Sequence, residues 1–440
     1  MQVAMIQSRS QGTVLATLAS AGVFLYFSLM FAVPSGYSYG AMILLLGGLY
    51  FMARHPFPPL TTEDKAIVFS LLAVFVWSVI AVWLHGNSLK TLDQTSRLVM
   101  AIPIMLLLLA MPPRLPLMWA GVVIGVVLSN GIAVWQLHWL GDNRAAGFLN
   151  IIHFGNIGLV FGLFCIAGML WAGTQGRYTR YWRMAFAVGI LASIYTVMAS
   201  GSRGSWLAIP PVAAVFLFAF LQRRNIKHAA AALAAVVVVV GVVFSIPETG
   251  VEARYDLAVT EVDKYMTTKY VGQGAAVSSV GARLEVWRTA FIHIPQQPLL
   301  GWNEKEYRAS VERLVAEKKV DPYMLEMANT HNNYLEVLVF QGVIGLVALL
   351  AMYLLPFWFF CKRLRSPDAT VKTLALCGST LLASYFMFGM SQVILGRNNG
   401  IIFFVLTLVI VWACMRNAEA LAEAAVKKNS SSISRPHVPK

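Results

Sequence analysis

Tyr334-Leu335-Glu336-Val337-Leu338-Val339-Phe340-Gln341-Gly342-Val343-Ile344-Gly345-Leu346-Val347-Ala348-Leu349-Leu350-Ala351-Met352-Tyr353-Leu354-Leu355-Pro356-Phe357-Trp358-Phe359-Phe360 decides the fold. After Glu336 no charged side chain occurs until Lys362. A helix crosses the hydrocarbon layer of a bilayer with about 20 apolar residues, so this run is a membrane span. Comparable runs bounded by charges or by Pro and Gly turns lie at 12–33, 39–53, 66–84, 97–111, 117–139, 151–173, 184–200, 206–221, 229–246, 371–394 and 400–416, which makes twelve spans in all. The whole composition agrees: 58% of the 440 residues are hydrophobic and 12% charged, where a soluble domain carries roughly a quarter charged. An ordinary soluble enzyme, a disordered chain, a collagen and a small disulfide scaffold are excluded. Cys165, Cys361, Cys377 and Cys414 sit in or beside apolar runs and suggest neither disulfides nor a metal site. The first span lacks a small-residue cleavage site and reads as a retained helix.

The sequence carries 34 Lys plus Arg against 20 Asp plus Glu, a net charge of +14. Topology accounts for this excess without a nucleic-acid partner. Nineteen cations fall on one side of the predicted spans: Arg9, Arg54, Lys65, Arg114, Arg177, Arg180, Arg183, Arg223, Arg224, Lys227, Lys362, Arg363, Arg365, Lys372, Arg416, Lys427, Lys428, Arg435 and Lys440. The opposite short loops hold five: Lys90, Arg97, Arg144, Arg203 and Arg397. Cytoplasmic loops collect Lys and Arg, so both termini are expected inside. The expected organisation is spans one to nine in 1–246, a large outward loop domain at 247–333, spans ten to twelve in 334–416, and a polar, disordered tail at 417–440. The loop mixes ten Lys plus Arg with twelve Asp plus Glu, and Val311 to Lys319 has the pattern of an amphipathic helix. A loop of this length is functional more often than it is a linker.

Outward cations are scarce under this rule, so each needs a reason. Arg203 lies in Ser200-Gly201-Ser202-Arg203-Gly204-Ser205, a tight turn between two spans. Small residues let backbone amides surround an anion, and a forked guanidinium binds phosphate oxygens; an ordinary turn with an Arg reaching to headgroups is the plain alternative. Arg144, in Asp142-Asn143-Arg144-Ala145-Ala146-Gly147, is either a second anion contact or a partner of Asp142. Arg397, in Gly396-Arg397-Asn398-Asn399-Gly400, is either a ligand contact or part of a capping turn. In the loop, Arg283 and Trp287 stand four apart, on one face of a helix, pairing a cation with an aromatic platform suited to phosphate and sugar. Glu285 and Arg288 form an ordinary surface pair on that helix under the bland reading. Trp302, in a Pro298 to Asn303 turn, is either a loop-core residue or a sugar-stacking one.

His331, in Asn329-Thr330-His331-Asn332-Asn333, differs from His85, His138 and His153, which flank spans as interfacial residues do. It sits among polar residues at the entry to a span, where a neutral imidazole takes a proton from a hydroxyl or, alternatively, caps the helix. Glu336 enters an apolar run, where an ionisable group is costly and calls for an Arg partner or a site role. The sequence has no P-loop, no HExxH and no Asp-x-Asp, so ATP-driven, zinc-hydrolytic and metal-dependent nucleotide-sugar chemistry lack support. What remains is a site of Arg and His.

The spans, the Ser-Gly-Ser-Arg203-Gly turn, Arg283-Leu-Glu-Val-Trp287 in one large loop, and His331-Asn332-Asn333-Tyr-Leu335 together resemble the O-antigen ligase and polymerase superfamily. The resemblance implies an all-α polytopic membrane protein, with a fold similar to the class C glycosyltransferases, in the inner membrane of a Gram-negative bacterium. It implies a metal-independent, cofactor-free glycosyltransferase of the O-antigen ligase kind. The implied donor is an undecaprenyl-pyrophosphate-linked O-antigen and the implied acceptor a sugar hydroxyl of lipid A-core oligosaccharide, met among membrane lipids. By the same resemblance Arg203 and Arg283 bind the donor pyrophosphate and His331 activates the acceptor, with Arg144, Trp287, Asn332, Glu336 and Arg397 in support. Repeat-unit polymerisation and protein O-glycosylation share this chemistry. A lipid-linked glycan transporter fits less well, because the ionisable residues lie at span ends and no half-to-half repeat is visible.

Overall fold

A computed structural model describes residues 2–221, 251–267 and 278–433. Among the described residues every regular element is helical. The helices are α1 Gln2–Leu29, α2 Gly36–Arg54, α3 Thr62–His85, α4 Asp93–Ala110, α5 Leu115–His138, α6 Ile151–Ala172, α7 Thr179–Ser200, α8 Ile209–Phe220, α9 Val251–Thr267, α10 Ser279–His293, α11 Glu304–Ala316, α12 Asn333–Cys361, α13 Ala369–Ser391 and α14 Asn398–Ile433. Nine of these, α2–α7 and α12–α14, are long and apolar enough to cross a membrane, the architecture of a multi-pass membrane protein. Thr13–Leu29 within α1 and Gly204–Phe220 around α8 are shorter apolar helices. Of the twelve expected spans, apolar helices stand at eleven places among the described residues, nine of them long enough to be full spans, and the expected span at 229–246 lies outside the described residues.

Two expectations need correction. The chain does not lose structure after Cys414, because α14 continues to Ile433. Its extension is rich in Ala and Glu, residues with high helix propensity, so a helix already nucleated in the bundle propagates beyond it. The amphipathic helix of the loop begins at Glu304 rather than Val311, where Asn303 caps it by accepting from the Lys305 amide, and it ends before Lys318, which stands at φ 57°.

Three helices form the centre: 89% of the apolar stretch of α14, 83% of α13 and 78% of α6 is buried, against 44% or less for every other span. Small residues set the close approach of α6 to α7. A Cβ added at Gly155 would stand 2.3 Å from the Ser200 hydroxyl, and one at Gly162 would stand 2.1 Å from that of Ser193. α12 is broken at Gly342, whose φ of 65° and ψ of −167° interrupt the helix. The turn Pro298 to Trp302 plugs the break: the Val343 amide donates to Pro298, the Trp302 amide donates to Val339, and the Trp77 indole donates to the Gln341 carbonyl at 2.9 Å. Backbone groups freed by the break are therefore satisfied where water is scarce.

The two ends of the bundle differ. At one, Arg363 pairs with Glu63 at 2.7 Å and with Glu419 at 2.5 Å, while the Trp412 indole donates to Asp64, which tie the start of α3 to the end of α12 and to α14. At the other, His85, the last residue of α3, bonds the Leu300 carbonyl. The 24 residues of α3 separate these ends by about 36 Å. The loop helices α10 and α11 and the N-terminus of α12 gather at the His85 end.

Candidate active site

His331 stands at the junction of the loop and α12. Its backbone is left-handed, φ 51°, a conformation few non-glycine residues adopt and one that clusters at functional sites. The local sequence holds it there. Its amide donates to the Asn329 side chain at 3.0 Å, and Thr330 donates its hydroxyl to the Asn332 carbonyl at 2.8 Å. Asn332 then caps α12 by accepting from the Tyr334 and Leu335 amides and reaches across to the Met390 carbonyl at 3.2 Å. Glu336 is not paired to an arginine by these contacts; its carboxylate accepts from the Thr330 amide at 2.8 Å, which fastens the loop to the first turn of α12.

The imidazole is half-buried, and its Nδ1 meets Gln392 Oε1 at 2.8 Å, just past the end of α13. Burial lowers its pKa below the ordinary 6.5; the bond to Gln392 pulls it partly back up, and the charges of Arg283 and Arg397 add smaller downward shifts. A neutral ring at neutral pH is the consequence, with a lone pair to accept a proton. Two cations expected at the site are thus electrostatically coupled to His331: Arg283 from α10 and the exposed Arg397 from the turn before α14. The Arg397 carbonyl also accepts from the Gly400 and Ile401 amides, so its capping role and its charge coexist.

The backbone of Arg203 opens a 3-10 helix, Arg203–Ala208, that packs on α13; its side chain lies outside what the structure describes. A Cβ on Gly204 would stand 2.6 Å from the Ser391 hydroxyl, which places this turn beside the residue preceding Gln392. The turn differs from a simple anion nest, since the amides of Gly201, Ser202 and Ser205 are spent on Met198, Ser200 and Ser202 within it. Arg144 Nε donates to the Ser200 carbonyl at 2.7 Å and so secures the same turn from the α5–α6 loop. His153 departs from the interfacial reading, being fully buried in α6 with Nδ1 2.7 Å from Asn399.

The loop helices brace this arrangement. Trp287 is not a bare platform: its indole donates to the Thr330 carbonyl at 3.0 Å, next to His331. Glu285 and Arg288 are not a surface pair, for Glu285 is 2% exposed. It accepts from Arg288 Nη2 at 2.7 Å, the Tyr265 hydroxyl at 2.7 Å and the Asp321 amide at 3.1 Å. Burial alone would raise the Glu285 pKa, yet these bonds hold it below the usual 4.5. Trp302 belongs to the loop core, 8% exposed, with its indole on the His293 carbonyl at 2.9 Å. His293 itself, which the sequence pattern does not single out, is buried between Trp302, Tyr307 and Ser310.

Beneath Asn329 and Thr330 opens a cavity of about 540 Å³ between α3, α4, α11 and α12. Gln94, Glu304, Arg308, Glu336 and Gln341 share its lining with Leu98, Met324 and Leu349. Mixed polar and apolar walls of this kind suit a sugar or the head of a lipid-linked glycan. Neither the cavity nor Gln392 is evident in the sequence; Gln392 shows there only as a polar residue closing an apolar run.

Residues 187–350 match the family model described as O-antigen ligase. That segment contains Arg203, Arg283, Trp287, His331, Asn332 and Glu336. An uncharacterised protein of Haemophilus influenzae is 27% identical over 383 residues, covering 87% of this chain and 94% of its own. An O-antigen ligase of Escherichia coli is 23% identical over 197 residues, covering 44% of this chain and 45% of its own.

Proposed function

We propose that this chain is an O-antigen ligase. It moves a glycan from undecaprenyl pyrophosphate to a sugar hydroxyl of lipid A-core, on the outward face of a Gram-negative inner membrane. The observation that carries the reading is the placement of His331 at the loop end of a multi-pass bundle, held left-handed by Asn329 and bonded to Gln392, whose neighbour Ser391 lies against the Arg203 turn. The match of residues 187–350 to the O-antigen ligase family supports the reaction class.

In the proposed reaction the acceptor hydroxyl oxygen attacks the anomeric carbon of the donor. The bond from that carbon to the pyrophosphate oxygen breaks, and the electron pair leaves with undecaprenyl pyrophosphate. Fixed guanidinium groups lower the barrier by meeting charge as it develops on the departing oxygen, the assigned task of Arg203 and Arg283 with Arg397 adding its field. The proton released from the hydroxyl passes to neutral His331, which its depressed pKa keeps ready to receive it. Arg144, Trp287, Asn332 and Glu336 act by holding the turn and the loop in place.

The test is incubation of the purified protein with undecaprenyl-pyrophosphate glycan and rough lipopolysaccharide, with EDTA present. A glycan ladder on lipid A-core is the expected product. Longer lipid-linked glycan would mark a polymerase, glycan on protein an oligosaccharyltransferase, and dependence on restored divalent cation would remove the metal-free mechanism. No glycan transfer to any of these acceptors, by protein shown to be folded, would overturn the enzyme assignment.

A further inference from the structure

Two contacts join the loop carrying His331 to the end of α13: the ring meets Gln392, and Asn332 meets the Met390 carbonyl. Gln392 is itself fixed. It is 5% exposed, its amide donates to Phe388 at 3.1 Å, and its carbonyl accepts from Ile394 at 2.9 Å. A buried side chain anchored on both sides of its backbone presents its amide oxygen in one place. That oxygen accepts only, so the ring nitrogen 2.8 Å away carries the proton and the second nitrogen holds the lone pair.

We propose that Gln392 is the positioning residue of His331, setting its tautomer so that Nε2 is the atom that receives the acceptor proton; the last clause rests on the base role proposed above. The chemistry explains why a neutral amide serves here. A carboxylate at this place would also fix the tautomer, but it would stabilise the imidazolium and hold the ring charged. The charged groups described around the ring are Arg283 on α10, Arg397 ahead of α14, and Glu336 on α12, whose carboxylate is turned to the Thr330 amide; the backbone of the Arg203 turn lies beside Ser391. Arg283 and Arg397 would pair with an additional carboxylate and surrender charge needed for an anionic donor. Gln392 avoids both effects, and its neighbour Ser391 touches Gly204, so one short segment sets the base and the anion-side turn relative to each other.

The full-length protein in nanodiscs, labelled with ¹⁵N in its histidine rings, provides the test, with the His331 signals assigned by their loss in His331→Gln. Wild-type His331 is expected to show a protonated Nδ1 and an unprotonated Nε2. Gln392→Leu should move the ring toward the Nε2-protonated form that free histidine favours, and turnover should fall roughly tenfold or more with the donor KM unchanged. Gln392→Glu should keep Nδ1 protonated and raise the titration midpoint of the ring by about one pH unit or more, carrying the acid limb of activity with it. Unchanged His331 ring signals in folded Gln392→Leu would overturn the proposal. Ring signals that shift as expected while turnover and its pH profile stay put would leave the positioning in place and sink the base role of His331 instead.

Discussion

Replacing Glu285 by Leu removes the acceptor that pins α10, the helix carrying Arg283, to the Asp321 segment and to α9. The magnitude follows from what each partner loses. The Asp321 amide belongs to a residue 5% exposed and would be left without its bond at 3.1 Å, a cost of about 1–3 kcal/mol. The half-buried Tyr265 hydroxyl loses a bond worth about 0.5–1.5 kcal/mol. Arg288, whose side chain is 38% exposed, turns to water and keeps its contact with the Lys319 carbonyl, so it adds little. The sum is about 1.5–4.5 kcal/mol of local stability, which at 1.4 kcal/mol per tenfold is roughly 10- to 1500-fold easier opening. Hydrogen exchange of the amides in 282–290 and 318–322 reads that opening directly, and transfer activity should fall with it as Arg283 loses its fixed place. Acid should mimic the substitution in the wild type. The folded pKa of Glu285 lies below the free value of 4.5, so its stabilisation is complete above that value and is lost as pH falls through the folded pKa. Less than threefold faster exchange in Glu285→Leu, or a loop that loosens on acidification equally with and without Glu285, would refute the reasoning.

Further outcomes are expected at the site and in the topology. Arg283→Lys keeps the charge but not the fork, and should lose about 30- to 1000-fold in transfer rate, corresponding to ~2–4 kcal/mol at the transition state; near-normal turnover at normal protein levels would take Arg283 out of the anion site. Wild-type transfer should be full near neutral pH and decline through a midpoint below 6.5, the value of a free imidazole, because His331 must be neutral to act. His331→Gln should cut the rate by about 10²- to 10⁴-fold and flatten that limb, and retention of the limb would assign it to another group. Trp287→Phe keeps the ring and removes the bond to Thr330, so transfer should drop by about 2- to 10-fold, whereas a sugar-stacking platform would be indifferent to the lost N–H. Cysteines introduced at Lys318 and Ser430 should label from opposite sides of the membrane, and labelling of both from the same side would overturn the expected topology.

Helix positions were legible in the sequence because the signal is local: a span needs an unbroken apolar run, and the backbone bonds of a helix close within the run itself. The same economy made His331 and Arg397 conspicuous, since polar groups at span ends in so apolar a chain stand out, whereas Arg283 was marked only by its spacing from Trp287. The tertiary structure decided the rest. Which helices are central could not be read from hydropathy, for buried α13 reaches a mean hydropathy of 1.4 while the much less buried α3 reaches 2.6. Helix association in lipid depends on shape and small residues, not on how apolar a helix is. Trp287 reads equally well as a sugar platform until its indole is found on Thr330, 43 residues away, and Glu285 reads as a surface charge until Tyr265 and Asp321 close over it. Gln392 acquires meaning only by standing 2.8 Å from a ring 61 residues earlier in the chain. Composition and spacing fix what one stretch does in a bilayer, whereas hydrogen bonds that span a few ångströms between distant stretches exist only once the helices have packed and their ends have met.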